Sequence, residues 1–291
     1  MDTVKRKPMG GTELAVEALQ RHCGPILDSI SLGINCLPRN MDLPVAVWFQ
    51  HDYNQPGVQW LRDARAVAAV DKFVFVSHWQ RERFQLAFGL PEHKCMVIRN
   101  AVDWEEKTRT TFSRRYVYSS TPFRGLDVLL EAWRLAKMPE DAELHLFTSM
   151  AIYGQDEGPY AELYERAKEL PGVTYHGFQP NRVVREMLWK ADFLAYPSTF
   201  EETSCISVIE ALSAGCKVIC PAYGALSETT HGFAAMYPWV DDRRAHAEVF
   251  AQKLRTTDYY INHLQRPYMR AFYSWETRGD DWRALVDTLN A

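Results

Sequence analysis

Two glutamates, Glu202 and Glu210, stand eight positions apart in "FEETSCISVIEALSAGCKVIC" (residues 200–220). The second falls inside a helix-like apolar run of Ile206, Val208, Ile209, Ala211 and Leu212. An ionised carboxylate in such surroundings needs hydrogen-bond donors or must neutralise at a cost of several kcal/mol. A vicinal diol, such as the hydroxyl pair of a ribose, offers two donors at the spacing of two carboxylate oxygens. A place on the solvated side of an amphipathic helix, or an ion pair with a nearby Arg, would also satisfy it. Glu202 precedes the helix, in the loop "TFEET" that leaves the strand-like "FLAYPS", with Thr203 or Ser204 as the expected N-cap. The first-turn amides of Ser204, Cys205, Ile206 and Ser207 would then point out of that loop, where the helix dipole favours an anion such as a phosphate.

Three further candidates lie in the first third of the chain. His51, in "VWFQHDYNQ", follows a strand directly, as a structural residue or as one that meets a ligand; Asp52 beside it is a candidate base toward a second substrate. Gly10 and Gly11 precede a helix, where a double glycine admits a ligand close to the backbone or simply loosens a loop.

Composition removes several classes of function. With 33 basic and 37 acidic residues the net charge is −4, so no overall basic field invites nucleic acid, and Lys5-Arg6-Lys7, Arg62/Arg65, Arg81/Arg83 and Arg114/Arg115 read as solvated faces. No apolar run approaches the roughly 18 to 20 residues of a membrane span. The start "MDTVKRKPMGG" lacks the apolar core of a signal peptide, so the expected location is the cytoplasm. Six cysteines form no C-x-x-C pair and are expected as reduced thiols. No G-x-G-x-x-G follows a strand, which disfavours a nicotinamide dehydrogenase of ordinary type.

The elements that must position these residues alternate in the manner of parallel sheets wrapped by helices. "GGTELAVEALQRHC" reads as a helix, "PVAVWFQ" and "KFVFVS" as strands, "HWQRERFQLAFG" as a helix and "CMVIRN" as a strand. The charged "WEEKTRTTFSRR" reads as a crossing between domains. A second series follows: "RYVYSS" then "GLDVLLEAWRLAK", "ELHLFTS" then "YAELYERAKEL", "VTYHGF" then "NRVVREMLWKA", "FLAYPS" then "CISVIEALSAG", and "KVICPA". "SWETRGDDWRALVDTL" closes the chain as a helix. The expected fold class is α/β, with two doubly wound domains facing a cleft: residues 1–103 plus 272–291, and residues 104–271.

The run "PSTFEETSCISVIEALSAGCKVI" resembles the signature of family 4 retaining glycosyltransferases in order and spacing. "YSSTPFRGLDVLLEAW", "VSHWQRERF", "VIRNAVD" and "FYSWE" are similar to further segments of that family, so nearly the whole chain is covered. The compact size is similar to that of enzymes encoded by chlorella viruses. The resemblance implies the GT-B fold, with two Rossmann-like domains. It implies that Glu202 faces the donor sugar, that Glu210 holds the nucleotide ribose, and that Arg124, where a lysine usually precedes Gly125, lies against the diphosphate. It further implies that His51 lines the sugar pocket, that Gly10 and Gly11 lie beside the donor phosphates or the acceptor, and that Tyr175, Gly177 and Phe178 form the nucleobase loop. An arginine usual in the family is replaced by Ser119, so Ser120 and Thr121 are expected to supply neutral hydroxyls to a phosphate. The usual N-terminal strand is missing or reduced to "MDTVKRKP".

Together these readings lead to a retaining hexosyltransferase that moves a sugar from a UDP- or GDP-linked donor to a carbohydrate acceptor, with Arg124, Glu202 and His51 as its catalytic set. No D-x-D occurs in the chain, in keeping with metal independence, and no cofactor beyond the donor substrate is expected. The alternatives are a GT-B epimerase or phosphorylase, and a non-catalytic nucleotide-sugar binding protein.

Overall fold

The computed structural model describes residues 10–105, 112–260 and 262–291. The segment "MDTVKRKP", its Lys5-Arg6-Lys7 cluster and the middle of the "WEEKTRTTFSRR" crossing lie outside the described residues.

A four-stranded parallel sheet comes first, in the order β1 (Ser31–Ile34), β2 (Val45–Phe49), β3 (Lys72–Phe75), β4 (Cys95–Val97). Its strands alternate between two cores, as a period-2 side-chain pattern requires. Val47, Phe49, Phe73 and Phe75 face a cluster with Phe84, whereas Trp48 and Val74 face one with Leu19 and Trp282. The helices of this half are α1 (Gly11–Leu27), α2 (Ala64–Ala68) and α3 (His78–Phe88). Strand β3 stops short of the expected "KFVFVS" because Ser77 caps α3, its hydroxyl accepting the Gln80 amide at 3.0 Å.

A six-stranded sheet follows, built from β5 (Arg115–Ser119), β6 (Glu143–Phe147), β7 (Val173–Tyr175), β8 (Phe193–Ala195), β9 (Lys217–Ala222) and β10 (Ala235–Pro238). Its order is β10-β9-β8-β5-β6-β7, all parallel, so the winding reverses between β5 and β8. Its helices are α4 (Leu126–Ala136), α5 (Ala161–Glu169), α6 (Asn181–Lys190), α7 (Ile206–Ala214), α8 (Leu226–Thr230), α9 (Arg243–Thr256) and α10 (Gln265–Phe272). The last helix, α11 (Trp275–Asn290), crosses back to the first sheet, where Trp282 meets Trp48 edge-on at 5.5 Å.

All four strand–helix units read in this half, and the strand after them, are present. The sequence reading passed over β1, α2, α8, β10, α9 and α10. The strands "SLGI" and "AMYP" are four residues long and only partly buried, so they carry no apolar run to mark them.

The two halves meet through specific bonds. Glu228 of α8 accepts the first amides of α3, from His78 and Trp79, both at 3.1 Å, and pairs with Arg99 at 2.6 Å. Thr203 donates to the Gln50 carbonyl at 3.1 Å.

Candidate active site

Between the sheets lies a cleft of about 1570 Å³, lined from both halves. In the larger sheet it opens at the carboxyl ends of β5 and β8, the switch point where doubly wound sheets bind ligands. Gly11, His51, Ser120, Thr121, Arg124, Gly177, Phe178, Glu202, Ser204, Cys205, Ile206, Ser207 and Glu210 all line it. Gly10 is buried against the Tyr153 ring, and Tyr175 stacks on Tyr164 at 4.8 Å; neither lines the cleft.

Arg124 ends a short turn after β5, and Gly125 follows at φ 108°. A Cβ there would sit 2.2 Å from the Pro197 carbonyl oxygen, so only glycine lets the Arg124 turn press onto the loop after β8. The loop carrying Glu202 has a matching support. A Cβ on Gly224, φ 58°, would come within 2.6 Å of the Glu202 carbonyl, which accepts the Ala225 amide at 2.7 Å.

These two contacts bring Arg124 and Glu202 together. Arg124 Nη1 donates to both carboxylate oxygens, at 2.7 and 2.8 Å, and the Tyr196 hydroxyl donates to Oε1 at 2.5 Å. Burial opposes the Arg124 charge, yet the Glu202 carboxylate, with smaller help from Tyr196, Tyr153 and Cys205, holds the guanidinium pKa well above its ordinary value. The Phe200 ring lies 4.4 Å under the guanidinium.

Glu210 is 7% exposed and is held by Arg185 Nε at 2.8 Å and Asn181 Nδ2 at 3.0 Å. Of the partners considered for it, the structure holds the ion pair. Arg185 reaches it from α6, a helix twenty-five residues earlier, and no local pattern connects the two.

The cap of helix α7 falls one or two residues later than expected. Its N-cap is neither Thr203 nor Ser204 but Cys205, in the left-handed region at φ 67°, with no side-chain cap. Thr203 is drawn away to Gln50, and the Ser204 carbonyl accepts from Thr229 at 2.6 Å. Among the described residues the amides of Cys205, Ile206 and Ser207 have no acceptor, so they remain available at the cleft wall.

His51 is fixed through its backbone. Its amide donates to Asn35 Oδ1 at 2.9 Å and its carbonyl accepts from the buried Gln80 at 2.7 Å, leaving the imidazole exposed at the cleft. Although the residue is exposed, the cleft walls partly desolvate the ring and lower its pKa, while Glu13 works the other way. Asp52 is 3% exposed, and burial pushes its pKa up to about 6; the Tyr53 amide and Arg83 oppose this, and Glu201 adds to it. Asn35, Gln80, Tyr196, Arg185 and Gly224 escaped the sequence reading. Only Tyr196, directly after a buried strand, carried a signal that could have found it.

A sequence profile of the family described as "Glycosyl transferases group 1" matches residues 110–256, about half of the chain. No curated protein matches the sequence. Among solved structures the fold is similar to that of Anabaena HepE in complex with UDP-glucose, at 17% identity, covering 84% of this chain and 72% of that one, with a TM-score of 0.61. The pneumococcal O-GlcNAc transferase GtfA, in complex with UDP and GlcNAc, is 15% identical over 85% of this chain and 53% of that one, with a TM-score of 0.62. A glycosyltransferase from Rickettsia africae is 14% identical over 99% of this chain and 84% of that one, with a TM-score of 0.65. With two Rossmann-like domains of the GT-B type, a cleft at the switch point and the family profile across the second domain, the chain belongs to the group 1 glycosyl transferases.

Proposed function

We propose that the protein is a retaining, metal-independent hexosyltransferase of family 4 type, taking its sugar from a UDP- or GDP-linked donor and passing it to a carbohydrate acceptor. The carrying observation is that Arg124, at the switch point, lines the same cleft as the amides of Cys205, Ile206 and Ser207, which have no acceptor among the described residues. A guanidinium and helix-N-terminal amides together suit a diphosphate on which charge grows as the sugar leaves.

In this reading Glu202 exchanges its bonds to Arg124 for the donor sugar's hydroxyls, which frees the guanidinium for the diphosphate. Glu210 likewise turns from Arg185 to the ribose. The bond between the anomeric carbon and the β-phosphate oxygen breaks with its electron pair going to that oxygen. The acceptor oxygen bonds to the anomeric carbon on the same face, and its proton passes to the departing phosphate oxygen. His51 lines the sugar side of this path. Six cysteines outside any disulfide suit a reducing cytoplasm, and no described helix is long and apolar enough to cross a membrane.

Uridine has priority in testing, because two of the similar structures hold UDP or a UDP-sugar. Thermal-shift measurements with UDP- and GDP-sugars should show stabilisation of roughly 2.7 kcal/mol at about 100 times the dissociation constant. Proton NMR should then find an α-linked product from an α-linked donor, with EDTA present or absent. A β-linked product refutes retention, and loss of turnover on chelation that manganese restores refutes metal independence.

A further inference from the structure

Beside Asp52, just outside the residues that line the cleft, Tyr53, Arg83, Glu201 and Tyr223 form a rim that the donor reading leaves unused. Asp52 lines the cleft, and its Oδ1 accepts the Tyr53 amide at 2.7 Å. Among the described residues no donor reaches its second oxygen, although the residue is 97% buried by its 3% exposure.

Opposite it, the loop Tyr223-Gly224-Ala225 packs on the Glu201–Glu202 backbone, as the Gly224 contacts show. That packing sets Tyr223 beside the backbone of the loop that carries Glu202. Tyr223 lies face to face with Trp239, ring centroids 3.9 Å apart and planes 5° apart. Its opposite face meets no other ring among the described residues, and Tyr223 and Trp239 are both partly exposed. Arg83 closes the rim from α3. It sits over the Tyr53 ring at 5.0 Å, donates to the Tyr53 hydroxyl at 3.2 Å and lies 4.0 Å from Glu201.

An aromatic face with a neighbouring hydroxyl-accepting carboxylate is the chemistry that receives a pyranose, whose C–H face packs on the ring while its hydroxyls donate. We propose that the Tyr223–Trp239 stack and the free Asp52 oxygen form the acceptor subsite, taking an uncharged or amino-bearing pyranose ring. This rests on the donor reading only for the name acceptor. Among the described residues the charges acting on Tyr223 are those of Glu201, Asp241 and Asp52 against that of Arg83, a net negative field that repels an anionic sugar. The second domain therefore contributes to acceptor choice as well as to donor binding.

Ligand-observed NMR with methyl α-glucopyranoside, the matching methyl glucosaminide and the matching methyl glucuronide tests this, with and without UDP. The first two should bind the native protein, with the glucuronide about tenfold weaker or more. Tyr223→Leu and the isosteric Asp52→Asn should each weaken the methyl glucopyranoside by about tenfold while leaving the thermal shift by UDP unchanged. Either variant binding the glycoside as tightly as the native protein overturns the proposal. So does equal binding of the glucuronide, or no binding of any probe at about 0.1 M. Absence of any shift with either UDP or GDP in the native protein would instead refute the donor reading, because pyranoside binding without nucleotide is read separately.

Discussion

Replacing Arg124 separates its part in folding from its part in catalysis. In Arg124→Met the Glu202 carboxylate, 3% exposed, keeps only the Tyr196 hydroxyl of its present side-chain partners. Stranding one member of a buried pair costs about 3 to 5 kcal/mol. The Arg124 side chain is 22% exposed, so water reaches the pair from one end and the lower figure applies. The same substitution removes one preorganised donor from the leaving diphosphate, which should lower kcat by about 10² to 10³. Adding Glu202→Gln removes the stranded charge while keeping a group for Tyr196. The double variant should regain most of the stability but none of the rate. Urea denaturation followed by near-ultraviolet circular dichroism reads the first quantity, and initial rates of sugar transfer read the second. If Arg124→Met is as stable as the native protein, the pair is not a buried charge pair. If kcat stays near normal, Arg124 has no leaving-group role. If the double variant regains both, the lost rate was only lost fold.

Glu210→Ala should weaken binding of the free nucleoside diphosphate by about 1 to 3 kcal/mol, whereas Glu202→Ala should spare it and impair the intact donor; equal losses in calorimetry would end that division. Asp52 has a raised pKa of about 6, so its ionisation opposes folding, and the penalty grows as pH rises from about 4 through 6. Asp52→Asn should therefore gain about 1 to 3 kcal/mol above pH 7 and nothing below pH 4 in paired denaturation curves. Buried His246 titrates near 4, so stability should fall as pH drops from about 6.5 toward 4, and His246→Phe should flatten that fall. Gly125→Ala, at φ 108° and against the Pro197 carbonyl, should cost about 2 kcal/mol or more, seen as a lowered Tm.

The elements that were legible in the sequence are those whose signal is local. Each buried strand of the larger sheet is an apolar run closed by a loop; Glu202 stands out in such a loop, and Glu210 because a charge interrupts the apolar run of α7. Membership of one cleft could be expected from position at strand ends. The partners could not. Arg185 reaches Glu210 from another helix, Gln80 holds His51 from α3, and Gly224 supports Glu202 from the loop after β9. Each is a non-local contact to a backbone or a side chain, and neither residue type nor spacing announces it. The misplaced cap on α7 has the same cause, since Thr203 spends its hydroxyl on the other domain.

Glu228, which caps α3 and pairs with Arg99 across the domain boundary, acts as a latch. Parting the domains at this point strips a carboxylate of three donors in a single movement, where water replaces them only as the gap widens. If the net preference for the latched form is about 3 kcal/mol, roughly one molecule in a hundred stands open at any moment. Exchange of substrate and product would then be paced by a residue that touches neither. The two side chains are only 18 and 20% exposed, so salt screens the latch weakly and the gating rate should respond to ionic strength far less than an interface of surface charges would.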